Sequence, residues 1–495
     1  MLGAVDPLDP ESSRLLSRIG SEWEKGRVIG GGSTVTSDEQ GTQAINAPPR
    51  FYAVISTLRG YSMVYVLMEH TLKLLDENQS WGETVGFPLW LRSALWPLGA
   101  QRSCGANGVC FFFVLSGAVA WLPCVESPGA LPRALPTEEG LSNYWSKRTS
   151  RILPMYFIAI VLMQNIQNYW GYVCWDTERA GDAANSVSWW TDWLLSMSLT
   201  STFSTWYFYP AAYGILWAVG PIFWFSVLLF PAFALLLKSD RQRPVDSAAL
   251  GILVAVVVSS IVRVATKVPS FGLQVDETQG AISDSAFGRM DDFVVGMSSA
   301  IFLRERIPLN AAAISLFLGW LAVSTYTYCI AYAIQEGFDY TTNRYTGTWW
   351  TWSALLAPMR SIGYSMVMVG LHHVLQPVAM TLPRYLFVTN HVMQAFGSMS
   401  YSVYVWHYLA LYATFQGSDA NDFVGLHANA WRLFFTFFFM VTPLVLLSFF
   451  YIERGTIGWY PQANDDLRTL LGHPGPDSFL SSLIPETPIA ERKRG

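Results

Sequence analysis

The sequence predicts an all-α protein, a polytopic transmembrane helix bundle of about ten spans. Three observations predict it. Of 495 residues, 52% are AVILMFWYC and only 14% are DEKR, where soluble domains carry about 25% charge. The mean hydropathy is positive, at +0.28. Apolar stretches of about 20 residues, the length that crosses the bilayer hydrocarbon as a helix, recur along the chain. Too little charge remains to coat a soluble body of this size, which excludes a cytosolic globular enzyme. The composition also excludes collagen, a disulfide scaffold and a disordered chain.

The first 50 residues are polar, with Asp6, Glu11 and Glu22 where a secretory signal needs an apolar run, so the first span is expected to direct insertion. Ten apolar runs follow, at 52–75, 106–125, 151–170, 213–237, 246–267, 285–303, 309–334, 352–376, 393–415 and 431–452. An eleventh stretch, 188–204, carries Asp192 and many hydroxyls and reads as interfacial or re-entrant. A polar segment, 456–495, closes the chain as a second tail and leaves one membrane domain over 51–455.

Orientation follows from the cations of the connections. With the N-terminus in the cytosol, Arg133, Lys147, Arg148, Arg151, Lys238, Arg241, Arg243, Arg304, Arg306 and Arg384 fall on the cytosolic side. Arg92, Arg102, Arg179, Lys267 and Arg344 fall opposite, five cations against ten. That excess places both tails in the cytosol and argues against an eleventh span. Asn78-Gln79-Ser80 is a glycan-acceptor pattern close to the opposite face. The five cysteines stand singly, without metal-type spacing, and the formal charge of −5 gives no reason to expect nucleic acid.

Chemistry is concentrated where lipid should be. The first span contains Arg59, Glu69 and His70, and a charge at a helix centre costs about 2.5–3.5 kcal/mol on insertion scales. Arg59 and His70 are eleven residues apart, three helical turns plus about 20°, so they share a face at a separation of about 16 Å. A structural ion pair and a functional site both account for such residues. At the cytosolic mouth of the third span, Lys147 precedes Arg148 and Arg151, which share a helix face. These are positive-inside anchors or an anion clamp, since guanidinium forks suit phosphate oxygens. Ser400, Tyr404 and His407 share a face of the ninth span, suited to acceptor binding or to helix packing. Arg289, Asp291 and Asp292 are expected to pair internally. His372 and His373 read as interfacial, and they and His391 lack metal-ligand spacing.

Together these segments resemble the acyltransferase 3 family. The Arg–His pair of its first span is matched by Arg59 and His70, and its FF-x-LSG segment by Phe112, Phe113, Leu115, Ser116 and Gly117. Its R-x-x-R segment is matched by Arg148 and Arg151 with Pro154, Tyr156 and Phe157. An R-x-x-E-F-x-x-G-M-like segment corresponds to Arg289, Phe293, Gly296 and Met297, with Asp292 in place of Glu. A G-x-x-SYSxYxxH segment corresponds to Gly397, Ser400, Tyr401, Ser402, Tyr404 and His407, and Glu453-Arg454 resembles the closing ER-P motif without its Pro. The likeness runs from about 50 to 460 in order. It departs at the fourth span, where Trp217-Ala218-Val219-Gly220-Pro221 lacks the acidic residue of many members, which leaves the acceptor type open.

The resemblance implies transfer of an acyl group, often acetyl, from acyl-coenzyme A as co-substrate to a hydroxyl or, less often, an amine. No bound cofactor, metal or nucleic acid is expected; the partners are the acyl-CoA donor, a hydroxyl-bearing acceptor and the lipid bilayer. His70 is the expected base, oriented by Glu69. Arg59 or Arg360 is expected to stabilise the thioester oxygen, and Lys147, Arg148 and Arg151 to hold the coenzyme A phosphates. Ser400, Tyr404 and His407 support the site or bind acceptor. A wet passage is expected to join the basic entrance to His70, with the acceptor arriving from the opposite side or from lipid. The rival from another class is a transporter or flippase using the same charges.

Overall fold

The computed structural model describes residues 50–75, 86–98, 100, 104–122, 138–170, 186–203, 214–239, 244–267, 285–305, 307–339, 344–345, 348–375, 386, 390–415, 439 and 441–453. The expected tails at 1–50 and 456–495 lie outside them, save Arg50. The described chain is all-helical apart from turns and a two-residue antiparallel ladder between β1 (Phe338–Asp339) and β2 (Arg344–Tyr345).

The helices are α1 (Arg50–Leu75), α2 (Leu89–Ala94), α3 (Cys104–Trp121), α4 (Glu138–Trp170), α5 (Ser186–Met197), α6 (Val219–Trp224), α7 (Phe230–Ser239), α8 (Pro244–Lys267), α9 (Met290–Arg304), α10 (Leu309–Gly337), α11 (Thr348–Leu375), α12 (His391–Ser398), α13 (Ser400–Phe415) and α14 (Thr442–Leu447). Among the described residues, three stretches are long and apolar enough to cross a membrane: Leu216–Leu237, Asp246–Val264 and Leu309–Tyr332. Their outer faces are apolar. Leu250, Leu253, Val257 and Ile261 form an exposed stripe along α8, and Ile314, Phe317 and Leu321 another along α10. Water would penalise such stripes; lipid tails match them. Shorter apolar helices cover Val54–Met68, Asn107–Trp121 and Thr442–Glu453.

Helix α4 begins at Glu138, so Arg148 and Arg151 lie on a continuing helix. Apolar runs report depth in lipid, whereas a helix continues past the membrane face for as long as its backbone bonds can be made.

Two close backbone approaches set the geometry around the centre. A Cβ on Gly117 of α3 would collide with the Phe293 carbonyl oxygen, and one on Gly296 of α9 with that of Val114. Likewise a Cβ on Gly397 of α12 would strike the Ser56 carbonyl oxygen, and one on Gly60 of α1 that of Met393. Small residues at such crossings let helices touch backbone to backbone where no hydrophobic effect drives them together. Asn390 caps α12 by accepting from the Met393 amide at 3.1 Å, and the chain breaks at Met399 before α13. Ser400 therefore opens α13 directly beside α1.

Candidate active site: a basic cavity and a histidine pair

Residues of α1, α3, α4, α6 and α13 enclose a cavity of about 700 Å³, counted out to its open mouth. Arg59, Arg148 and Arg151 line it with Ser116, Tyr401 and Tyr404, and its remaining wall is mostly apolar, including Met63, Val66, Val109 and Phe112.

Each guanidinium is held differently. Arg59 donates from Nη2 to Ser400 Oγ at 3.2 Å and lies over the Phe112 ring, 5.2 Å from its centroid. Arg148 donates to the Ser116 carbonyl at 3.4 Å and lies over Tyr144 at 5.7 Å. Tyr144 in turn stacks on Phe230 with centroids 3.9 Å apart. Arg151 alone of the three meets a carboxylate. Its Nε donates to Glu453 Oε1 at 2.7 Å and its Nη2 approaches the same oxygen at 2.6 Å. Glu453 is fully buried and also accepts from Ser402 Oγ at 2.8 Å. Among the described residues, neither Arg59 nor Arg148 meets a carboxylate, so the cavity wall carries two unmatched positive charges. That field favours an anion with more than one charge.

Local sequence explains how these groups are presented. Residues Phe225–Leu229 form a π-helical turn in which the Phe230 amide bonds to the Phe225 carbonyl. The matching donor for the Ser226 carbonyl would come from position 231, which is proline and has no N–H. Trp145 Nε1 donates to that carbonyl instead, at 3.1 Å. This bond fixes α4 one turn from Arg148. A second π-helical segment, Ser448–Glu453, ends the described chain with Glu453 buried and Tyr451 54% exposed.

Deeper along α1 and α13, His70 and His407 face each other with ring centroids 5.2 Å apart. His407 is fully buried. Its Nδ1 lies 2.8 Å from the Tyr404 carbonyl oxygen, which can only accept, so Nδ1 carries the proton of the neutral ring. The Tyr404 ring sits 5.9 Å from His407 and also borders the cavity. Neither imidazole lines that cavity. Its inner wall is formed at Val66 and Tyr404, one helical turn, about 5.4 Å, short of them. The cavity thus stops short of His70, and the expected passage to it is not seen among the described residues.

The sequence-predicted residues thus separate into two groups. Arg59 stands with Arg148, Arg151 and Ser400; His70 stands with His407 and Tyr404. The side chains of Glu69 and Lys147 lie outside the described residues. Arg360, expected near the thioester, does not line the cavity. Its Nη2 is 3.6 Å from Asp292, and its Nη1 donates to the Tyr326 hydroxyl at 3.3 Å. That buried cluster also holds Arg289, 3.5 Å from Asp292, and Ser361, which donates to Asp292. Arg263 makes a two-pronged pair with Asp291 at 2.7 and 3.0 Å. His372 and His373 are buried, and His373 Nε2 is 3.1 Å from the Phe302 carbonyl oxygen. They stand in the last turn of α11. Sequence reading missed Arg263, although a lone cation in an apolar run was a signal. It noted Glu453 only within a motif; its pairing with Arg151 across 302 residues leaves no local trace.

An all-helical membrane body that buries a cationic cavity next to paired imidazoles has the parts of an enzyme working at the bilayer. The chain belongs to the acyltransferase 3 family: the family model described as an acyltransferase domain matches residues 52–452, and the protein is a membrane acyltransferase. No curated protein and no solved structure matches the chain.

Proposed function

We propose that the protein moves an acyl group, acetyl in the simplest case, from acyl-coenzyme A to a hydroxyl of a carbohydrate, lipid or small metabolite. The observation that carries this reading is the pair of unmatched guanidiniums, Arg59 and Arg148, on a cavity whose inner end approaches an imidazole pair. Coenzyme A presents several phosphates, and guanidiniums without a carboxylate partner suit phosphate oxygens. Arg151, oriented by Glu453, completes that wall, and Lys147 lies next to it in sequence.

A hydroxyl is a poor nucleophile near neutral pH, so a base must take its proton as it attacks the thioester. His70 fills that role, because an imidazole can both take and release a proton near neutral pH, and Glu69 is its neighbour on the chain. In this reading Arg59 belongs with the phosphates rather than beside the reacting carbonyl, because eleven residues of helix, about 16 Å, separate it from His70. In this reading the chain is a multi-pass bundle of about ten spans with both tails in the cytosol. The donor then arrives from the cytosol, and the acceptor from the opposite side or from lipid.

The test is to give purified protein acetyl-coenzyme A labelled in the acetyl group, with pooled glycans, lipids and metabolites. Label moving to a hydroxyl compound, and no longer moving in His70→Ala, is the expected result. Undiminished transfer by His70→Ala would overturn the assignment.

A further inference from the structure

Resting on that reading, we infer that His407 is a positioning residue for His70 and shares the proton taken from the acceptor hydroxyl. The geometry carries it. The ring centroids lie 5.2 Å apart on different helices, tilted by 39°. His407 is sealed from solvent, and its tautomer is set by the Tyr404 carbonyl, which takes the Nδ1 proton at 2.8 Å. Nε2 therefore carries the lone pair. A ring held by a packing bond alone has no need of a second imidazole beside it, whereas a base that becomes cationic in a dry site needs an acceptor for its other N–H.

The acceptor oxygen attacks the thioester carbon as its proton passes to one His70 nitrogen, and the other His70 N–H leans on His407 Nε2. The carbon–sulfur bond then breaks, coenzyme A leaves as a thiolate, and the proton held by the imidazole pair passes to that sulfur. Nothing is oxidised or reduced, and the pair ends as it began. His407 touches neither substrate and acts through His70.

His407→Phe and His407→Gln separate this role from packing. Phe fills the space without an acceptor; Gln restores a polar group near the Nε2 position. The readouts are kcat, the KM for acetyl-coenzyme A, and rates across mixtures of light and heavy water. Wild type is expected to give a curved isotope plot, with two protons moving. His407→Phe is expected to lose about 100-fold in kcat, keep its KM and give a straight plot, and His407→Gln to recover about tenfold of that loss. His407→Phe with wild-type kcat and a curved plot would overturn the inference. So would parallel losses of turnover and coenzyme A binding in both variants, which mark a purely structural role. A wild type that never cleaves acetyl-coenzyme A counts against the transfer reading itself, and an active wild type indifferent to His407 counts against His407 alone.

Discussion

Glu453 shows how one buried carboxylate organises a cationic wall. It receives two nitrogens of Arg151 and the hydroxyl of Ser402 while fully shielded from solvent. Removing it leaves the Ser402 hydroxyl without its acceptor and the 28%-exposed Arg151 guanidinium with the Ser398 carbonyl at 3.4 Å as its remaining partner, and a buried group stranded in this way costs about 1–3 kcal/mol. Glu453→Ala is expected to lose that much stability, read as a drop in Tm of the detergent-solubilised protein. Glu453→Gln keeps an acceptor oxygen and loses less. Equal Tm values for wild type and Glu453→Ala would mean that Arg151 finds its orientation elsewhere. The contrast with Arg59 and Arg148 gives the cavity its sign: three guanidiniums face one carboxylate, and the difference is what an anionic ligand feels.

At the level of elements, the site depends on where helices touch. The glycine crossing of α1 with α12 brings Ser400 to Arg59, and the break at Met399 starts α13 at the height where Tyr404 and His407 face α1. Tyr404 borders the cavity and also packs beside His407, so in the proposed reaction a thioester travelling inward has to displace it. Tyr404→Ala opens that wall. The expected outcome is a rise in acetyl-coenzyme A hydrolysis without acceptor, measured as free thiol release, because water gains the path that the phenol ring blocks. Unchanged hydrolysis would place the route to His70 elsewhere. Some of this was legible in the sequence. An apolar run holding Arg59, Glu69 and His70 pointed to α1 as the helix to search, since lipid tolerates such residues only where they face a polar interior; of these, Arg59 lines the cavity. The early start of α4 was not legible, because hydropathy tracks lipid contact rather than backbone bonding. The π-helical turn before Pro231 was readable in principle, from the missing amide.

For the whole molecule, fold class followed from composition, because charge this sparse cannot cover a soluble surface. Pairings did not. His70 with His407 and Arg263 with Asp291 join residues on separate helices, and one sequence holds no record of which helix lies beside which. The division of Arg59 from His70 was concealed by helical periodicity, which puts both on one face but says nothing of the Val66 and Tyr404 side chains that wall off the space between them. Orientation rests on the cation count, and it predicts which face is which. Cysteine placed at the exposed position Leu309, at the start of α10, is expected to react with an impermeant reagent from the cytosolic side only, and at exposed Leu98 from the opposite side only. Labelling of both from one side would break the proposed topology, and the reverse pattern would invert it.

The central claim is that the unmatched guanidiniums of Arg59 and Arg148 hold the phosphates of the acyl donor. The most direct measurement is the Kd of coenzyme A, and of pantetheine lacking those phosphates, for wild type and for Arg59→Ala and Arg148→Ala. The account predicts that each substitution weakens coenzyme A binding about tenfold or more, as loss of a charge-assisted hydrogen bond should, and leaves pantetheine binding unchanged. Coenzyme A bound equally well by all three proteins would contradict it.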